Sequence, residues 1–251
     1  MRRLAIIASA LCLALAGTAF GAGEREGDSF TRAGVDTIHV RAGSFDVEVH
    51  AADAFGVSVN SDLPRPSLFD ARSYRLMHRQ AGRTLEVWVD SDNLFGFTGG
   101  GRISLGVPRN ASVRVEATSG SITIDGLDGG ACNARSASGA ISVRDSRGDL
   151  DLNTVSGSIS LKSVTGRIHA QSISGSTEGR EVSFDETSSF STVSGSVDLK
   201  IGPALDDYRF DLSTVSGAIV VGKIRAERGL RMGFGNTTIR AHTVSGSLNF
   251  Q

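Results

Sequence analysis

The chain has 251 residues and a formal net charge of -1, and 31 of the residues are Gly and 33 are Ser. Its aromatic residues are only 12 Phe, 2 Tyr and 1 Trp, which leaves few bulky side chains for a core. A hydrophobic content of 39% is too high for a disordered chain, and 4 Pro are too few for a collagen-like one. The near-neutral charge gives no basic field, so we expect no nucleic-acid partner.

The first 22 residues have the pattern of a secretory signal peptide. Arg2 and Arg3 precede an apolar run at 4–16, and the stretch after it contains the small residues Gly17, Thr18, Ala19, Gly21 and Ala22. This run is shorter than the roughly 20 residues that cross a bilayer. We therefore expect export with cleavage near 19–21 and no transmembrane segment afterwards. The expected location is the periplasm, the outer-membrane surface or the cell exterior.

A nine-residue repeat occupies the second half of the chain. The units ASGAISVRD, SRGDLDLNT and VSGSISLKS follow one another without a gap from residue 137. One glycine per unit keeps this spacing through five copies, at Gly139, Gly148, Gly157, Gly166 and Gly175. A fixed short period of this kind is typical of a solenoid, in which each repeat stacks on its neighbours.

Apolar and polar residues alternate within each unit, which indicates a β-strand. In one unit Val155, Ile159 and Leu161 fall on the same side, and in the next unit the apolar residues move from odd to even positions. The chain must turn a corner between units if both apolar sides are to face the interior. We therefore predict an all-β fold, a single-domain β-solenoid similar to a parallel β-helix, with two units in each coil of roughly 18 residues.

We predict three regions in the chain: the signal peptide at 1–22, a looser N-terminal cap with early strands at 23–112, and the SerGly-repeat solenoid at 113–251. Within the cap, the segment 62–80 has no clean periodicity and is expected to form loops with irregular strands. The chain ends on a strand-like sequence, SLNFQ. We expect this last strand to be an open sheet edge through which copies of the chain associate.

A coil of this length predicts which side chains stack on one another. Asp149 should lie over Arg167, and Asp151 over His169, which gives one charged face. The opposite face should be small, polar and flat, and it is the candidate interaction face. Its candidate residues are Ser121, Thr123, Ser142, Ser158 and Ser160.

The residue spacing favours neither catalysis nor metal binding. Calcium-binding nonapeptide rolls need Asp at a fixed place, where this chain mostly has Ser, Ile or Thr, and its His residues lack zinc-site spacing. SerGly recurs in many units without a GxSxG elbow, so no serine is marked as a nucleophile. Cys132 has no cationic cluster nearby and should be a small buried core residue. We expect no enzyme activity, no metal and no cofactor.

The sequence ISLGVPRNASVRVEATSGSITI at 103–124, together with the signal peptide and the VSGSI and VSGSV blocks, resembles the bacterial "putative-adhesin" family of unknown-function domains. That family includes the Lia-operon membrane protein type, and the similarity covers roughly 35–251. The resemblance implies an exported or envelope β-solenoid and supplies no catalytic residues. This chain departs from the commoner acidic block, because Ser or Ala follows the Gly except at Asp149.

Several functions are compatible with these patterns. We expect an exported, non-catalytic, adhesin-like protein whose partner is an envelope glycan or a surface protein. One alternative is a periplasmic scaffold or self-assembling solenoid. Another is a polysaccharide-active β-helix enzyme, which would need charged residues clustered along a groove. An ice-binding face would need a regular Thr array, and the irregular column is better explained as a corner ladder; it comprises Thr154, Ser172, Thr192, Thr214 and Thr243.

Overall fold

The computed structural model describes residues 25–26, 29–53, 56–64, 74–91 and 100–251. The predicted signal peptide at 1–22 lies outside these ranges, as does part of the segment 62–80. Within the described ranges the only helix is a 3-10 turn at Leu205–Asp207. No helix of this part of the chain is long and apolar enough to cross a membrane.

Twenty-four strands account for most of the described residues. In chain order they are β1 (Arg25–Glu26), β2 (Ser29–Ala33), β3 (Thr37–Gly43), β4 (Asp46–Ala52), β5 (Gly56–Asp62), β6 (Tyr74–Ala81), β7 (Thr84–Ser91), β8 (Arg102–Pro108), β9 (Ser112–Ala117), β10 (Ile122–Asp125), β11 (Cys132–Ser136), β12 (Ile141–Arg147), β13 (Leu150–Thr154), β14 (Ile159–Thr165), β15 (Ile168–Ser172), β16 (Thr177–Ser183), β17 (Ser188–Thr192), β18 (Val197–Ile201), β19 (Tyr208–Ser216), β20 (Ile219–Val221), β21 (Ile224–Ala226), β22 (Gly229–Met232), β23 (Thr237–Ser245) and β24 (Leu248–Phe250).

The strands form two sheets of twelve strands each. Sheet A has the order β1-β6-β7-β3-β9-β11-β13-β15-β17-β23-β19-β22, and sheet B has the order β2-β5-β8-β4-β10-β12-β14-β16-β18-β24-β20-β21. Each coil places one strand in sheet A, turns a corner and places the next strand in sheet B. Nine such coils stack in parallel among the described residues, from β7–β8 at one end to β19–β20 at the other. The predicted β-solenoid is confirmed.

The register in the middle of the stack follows the predicted coil length. Leu150 pairs with Cys132 on one side and with Ile168 on the other, so 18 residues separate each pair. Asp151 lies beside His169, as predicted. The predicted contact of Asp149 with Arg167 is also present, because the guanidinium lies 2.6 Å from the carboxylate.

The parallel stack begins before the SerGly repeats. β3 pairs in parallel with β7 and β9, while β4 pairs in parallel with β8 and β10. The strands β1, β2, β5 and β6 are antiparallel to their neighbours and close this end of the stack. The region 23–112 therefore supplies two coils as well as a cap, and strand pairing continues across residue 112.

The C-terminal strand is not an open edge, so this prediction is wrong. β24 pairs with β18 on one side and with β20 on the other. The chain first builds the outermost coil, β19–β20, with its antiparallel strands β21 and β22, and then returns to fill the position beneath that coil. This insertion explains why Ser188 pairs with Ile239, which is 51 residues away. The sheet edges at this end are β21 and β22.

The inward side chains of both sheets form one hydrophobic cluster. Ile159 and Leu161 lie in it, as predicted, with exposures of 0% and 1%. Val155 was expected on the same side, but it is 46% exposed, so that part of the prediction is wrong. The inward position at this corner belongs to Thr154, and the chain then turns so that Val155 and Ser156 both point outward.

The hydroxyl at this inward position ties neighbouring coils together. Thr154 Oγ1 accepts a hydrogen bond from Gly157 N at 3.0 Å and donates one to Gly139 O at 3.4 Å. Buried hydroxyls in the other coils also donate to a glycine carbonyl of the adjacent coil. We call this set the corner ladder, and it comprises Ser136, Thr154, Ser172, Thr192, Thr243 and Thr214. The predicted ladder is confirmed, and burial of its hydroxyls excludes it as an ice-binding surface.

Glycine is required at the same corner because the backbones of neighbouring coils touch. A Cβ atom on Gly157 would lie 2.0 Å from Gly139 O and 2.8 Å from Thr154 Oγ1. Real Cβ atoms do not approach backbone oxygen so closely, so any side chain here must push two coils apart.

Cys132 points inward from β11 and is 2% exposed, so its predicted place in the core is confirmed. Burial raises the pKa of its thiol to about 12, and the charge of Asp151 acts in the same direction. The apolar surroundings disfavour the thiolate, which is the reactive form of cysteine.

Replacing Gly157 with Val should destabilise the fold by about 3 kcal/mol or more, because the new side chain overlaps the backbone of the next coil. Urea unfolding of the two purified proteins measures this difference. Gly229→Val is the matched control, since a Cβ atom there would meet only Leu212 O at 3.8 Å. Equal losses of stability in the two variants would contradict the account of coil contact.

Replacing Thr154 with Val should cost about 1–3 kcal/mol, because the buried N–H of Gly157 loses its acceptor while the volume is kept. Thr154→Ser keeps the hydroxyl, as Ser172 does in the next coil, and should cost less than Thr154→Val. Thermal unfolding of both variants compares them. A Val variant as stable as the Ser variant would show that the corner ladder contributes little.

The stability that Cys132 contributes should depend on pH. Its thiol ionises near pH 8.5 in the unfolded chain but only near 12 in the folded one, so this contribution is complete below about pH 8.5 and decreases as the pH rises. The unfolding free energy should therefore fall more steeply above about pH 9 than that of Cys132→Ala, by at most about 1.4 kcal/mol per pH unit. Urea titrations between about pH 7 and 11 test this. Parallel curves for the two proteins would contradict it.

Candidate functional site

The predicted interaction face lies on the outer side of sheet B. Thr123, Ser142 and Ser160 are adjacent on β10, β12 and β14. Ser121 and Ser158 are exposed at the corner that precedes these strands. The predicted columns are therefore present, and we call these five residues the serine–threonine face.

This face is more strongly charged than predicted. A row of exposed cations runs beside the hydroxyls, two residues further along each strand, and comprises Arg144, Lys162, Arg180 and Lys200. The hydroxyl row itself continues into Glu178 and Asp198 on β16 and β18. The outer side of sheet B thus combines hydroxyls with charges of both signs, which differs from the small, polar and flat surface expected.

The outer side of sheet A contains a groove of about 460 Å³ lined by hydrogen-bonding side chains. These side chains alternate along β11, β13, β15 and β17 with residues of the core. We call this site the polar groove, and its polar residues are Asn133, Asp149, Asp151, Arg167, His169, Thr187 and Ser189. Carboxylate, amide, imidazole and guanidinium groups therefore lie on neighbouring strands about 4.8 Å apart.

Hydrogen bonds hold the groups of the polar groove in place. The Asp151 carboxylate accepts one from Asn133 Nδ2 at 2.6 Å and another from Asn153 Nδ2 at 2.7 Å. The Arg135 guanidinium lies 3.6 Å from the same carboxylate. Asn133 Oδ1 is buried and accepts no hydrogen bond from the described residues. The groove therefore presents fixed donors and acceptors, with its amide and carboxylate groups joined in one network.

Asp151, His169 and Ser189 lie side by side on three strands, and they are the residue types of a hydrolase triad. The geometry differs from a triad. His169 contacts the Ser189 hydroxyl through Nδ1, and both carboxylate oxygens of Asp151 accept from amides. Within the described residues no hydrogen bond joins Asp151 to His169, so the carboxylate does not orient the imidazole. Asp151 is therefore bonded to amides, while His169 and Ser189 form a separate hydrogen-bonded pair.

A second groove, of about 580 Å³, runs along the SerGly corner. One wall is apolar, because the residue that precedes each SerGly points outward and lies partly exposed. We call this row the apolar ridge. Its members Val155, Ile173 and Val193 line the groove, and Val244 and Val215 continue the row beyond it. The other wall comes from outward side chains of sheet A, among them Asn153, Gln171 and Ser191.

The described residues also contain no group of three or more His, Cys, Asp or Glu side chains placed to hold a metal ion. The His residues of the described coils are distributed along the stack. His50 lies 3.8 Å from Glu48, and His242 Nδ1 lies 2.9 Å from the Ser213 hydroxyl. His50 and His242 are therefore each paired locally.

Sequence reasoning located part of the polar groove. It placed Asp149 over Arg167 and Asp151 over His169, but it left out Asn133 and the carboxamide network. The signal for Asn133 was available, since it precedes Asp151 by the same 18 residues. The apolar ridge was missed because alternation was extended through the corner, where two successive residues in fact point outward.

Comparison with known proteins gives a family match and a distant likeness to solved structures. The Toastrack DUF4097 family matches residues 98–250. No curated protein matches the chain. Among solved structures, a "putative cell adhesion protein" from Clostridium sporogenes aligns over 92% of this chain and 99% of its own, at 9% identity and a TM-score of 0.41. Because the family match spans more than half of the 251 residues, the chain belongs to the Toastrack DUF4097 family.

Proposed function

We propose that the chain is a non-catalytic, adhesin-like interaction protein of the cell envelope or cell surface, and that it binds a glycan in the polar groove. The observation that supports this most directly is the network centred on Asp151, which fixes amide and carboxylate groups on adjacent coils beside the imidazole of His169. Sugar hydroxyls both donate and accept hydrogen bonds, and planar polar side chains offer both functions in defined directions.

The fixed positions of these groups favour binding. Asn133 and Asn153 are already held by Asp151, so a ligand would immobilise few additional rotamers. Binding to pre-positioned groups avoids much of the entropic cost that weakens most polar contacts. Each successive coil presents a polar group of a different kind at the same position, so an extended ligand meets a hydrogen-bonding partner on each coil.

The charge of the groove favours a neutral or weakly charged glycan. Asp149 is paired with Arg167, and Asp151 lies near Arg135, so carboxylates and guanidinium groups balance. A strongly anionic polymer would find no excess of cations there, and a cationic one would find no excess of carboxylates.

Three more specific statements about the protein stay predictions from the sequence. The segment 1–22 directs export, and the protein is located in the periplasm, at the outer-membrane surface or outside the cell. The third is that the chain is of the Lia-operon membrane protein type. The periplasmic scaffold also stays an alternative, although it can no longer depend on an open C-terminal strand, because β24 is paired on both sides.

Binding of the purified chain without residues 1–22 to insoluble envelope glycan and to a panel of neutral oligosaccharides tests the proposal. The double variant Asn133→Ser/His169→Ala should weaken binding at least about tenfold, a loss of about 1.4 kcal/mol. Ser142→Lys/Ser160→Lys changes the serine–threonine face instead and should bind as the wild type does. Circular dichroism and melting temperature establish that both variants are folded.

The opposite pattern, with binding lost only in Ser142→Lys/Ser160→Lys, would place the ligand on sheet B and contradict the assignment of the groove. Absence of any glycan binding by the wild type would contradict the proposed ligand class. Turnover of a bound glycan by the wild type, abolished in His169→Ala, would contradict a non-catalytic function.

A further inference from the structure

The turn between β22 and β23 carries an aromatic side chain that the core does not use. Phe234 is 96% exposed, and a glycine lies on each side of it. A Cβ atom on Gly233 would overlap the carbonyl oxygen of Tyr208, and one on Gly235 would overlap that of Asp207. The turn is therefore held against the start of β19, which fixes the place from which the Phe234 ring projects into solvent.

The Phe234 ring lines a cleft of about 540 Å³ on the outer side of sheet A. Single exposed aromatic residues are common on protein surfaces, but this one shares its cleft with three guanidinium groups. We call this site the arginine cleft, and its outward side chains are Arg209, Asp211, Arg231, Phe234, Thr238 and Arg240. An apolar surface beside a few convergent polar groups is the usual composition of a ligand site.

The arginine cleft has an excess of positive charge. The Asp211 carboxylate of the cleft accepts a hydrogen bond from Arg231 Nε at 3.0 Å. Arg209 and Arg240 are exposed, and neither forms an ion pair or a side-chain hydrogen bond with the described residues. The acidic residues of the turn at Leu205–Asp207 do not line the cleft. Two guanidinium groups are therefore left to bind an anion.

The register of the strands places these two cations near each other. Arg209 of β19 lies beside Thr238 of β23. Arg240 lies two residues further along β23, so the two arginines are diagonal neighbours with Cα atoms about 8 Å apart. Guanidinium groups bind carboxylate and phosphate oxygens through paired hydrogen bonds, and the Thr238 hydroxyl adds a group that both donates and accepts. One anionic group can therefore contact both arginines.

The Phe234 ring adds a second requirement for the ligand. An aromatic face covers apolar C–H groups well, and the contact removes apolar surface of both partners from water. One face of a sugar ring presents such C–H groups, and a uronate or a phosphorylated sugar carries an anion on the same small unit. A sugar of this kind uses both Phe234 and the two arginines, whereas free phosphate would use only the arginines.

The arginine cleft also continues the surface on which glycan binding is proposed. Ser189 of the polar groove lies beside Arg240, on the same outer side of sheet A. Carboxylates and guanidinium groups balance in the polar groove, whereas guanidinium groups are in excess in the arginine cleft. A glycan with neutral and anionic units would therefore find a place for each kind.

We propose that the arginine cleft is a subsite for an anionic sugar unit, with the sugar ring on Phe234 and its carboxylate or phosphate between Arg209 and Arg240. The choice of a sugar rests on the proposed function, while anion binding rests on the cleft itself. A flat anionic bilayer is a poorer match for a concave site, and it would contact the exposed Arg225 and Arg228 of this end as readily.

Fluorescence of the variant Phe234→Trp tests the proposal on the purified chain without residues 1–22. The variant keeps an aromatic ring in the cleft, and the native Trp88 lies on β7 towards the opposite end of the stack. Oligogalacturonate or glucose 6-phosphate should change the emission of the new indole saturably. The methyl ester of oligogalacturonate, which is uncharged, should bind at least about tenfold more weakly than the acid.

Calorimetry on the chain with its native Phe234 then separates the contributions. Phe234→Ala should weaken binding of these anionic sugars, and Arg209→Gln/Arg240→Gln should weaken it at least about tenfold. Arg225→Gln/Arg228→Gln is the matched control, because it removes the same charge outside the cleft and should bind as the wild type does. Melting temperatures establish that the variants are folded.

Equal losses of binding in the two arginine variants would overturn the proposal, because they would indicate general attraction of anions. Binding to vesicles of phosphatidylglycerol but to neither anionic sugar would overturn it as well, as would absence of binding to all these probes. The test is separate from that of the polar groove. Asn133→Ser/His169→Ala should leave the binding of glucose 6-phosphate unchanged, so neutral glycan binding can fail while the arginine cleft still binds its anionic sugar.

Discussion

Close backbone contact at the SerGly corner is the constraint on which the rest of the structure depends. Gly157 lies so near Gly139 that a Cβ atom would be 2.0 Å from the carbonyl oxygen, and the same relation recurs along the stack. The adjacent hydroxyl of the corner ladder then bonds to the coil beneath. Together these contacts fix where each coil lies relative to the next. The corner contacts therefore fix which outward side chains of neighbouring coils lie beside one another in both sheets.

The alignment explains how a chain with few aromatic residues builds extended surfaces. Because one coil is set directly over another, a residue type repeated at the coil period becomes a line of identical groups. The corner turns Val155 and its equivalents outward into the apolar ridge. The strands before the corner present the polar groove, and the strands after it present the serine–threonine face. Three chemically different surfaces thus arise from one repeating unit, each defined by its position within that unit.

The regular part of this structure was predictable, and the irregular part was not. The glycine spacing and the alternation of apolar residues predicted the all-β solenoid, the 18-residue register and the contacts of Asp149 with Arg167 and of Asp151 with His169. The alternation of apolar and polar residues gave the wrong side for Val155. The backbone leaves the strand conformation at the corner, so successive side chains no longer point to opposite faces there. The position of β24 was also unpredictable, because pairing after a long spacer depends on which coil is free, and the repeat sequence is nearly the same in each.

The order of the last coils affects how the molecule can be completed. The other SerGly coils can each dock on the one formed before, in the direction of synthesis. The coil β19–β20 cannot, because β23–β24 lies between it and β17–β18. A nascent chain that has released residues 208–221 therefore has an outermost coil with no neighbour to rest on. The coil β19–β20 can take its place in the stack only after β23–β24 has formed beneath it. A chain truncated before β23 would therefore lose the packing of the coil β19–β20 as well as β23–β24 itself.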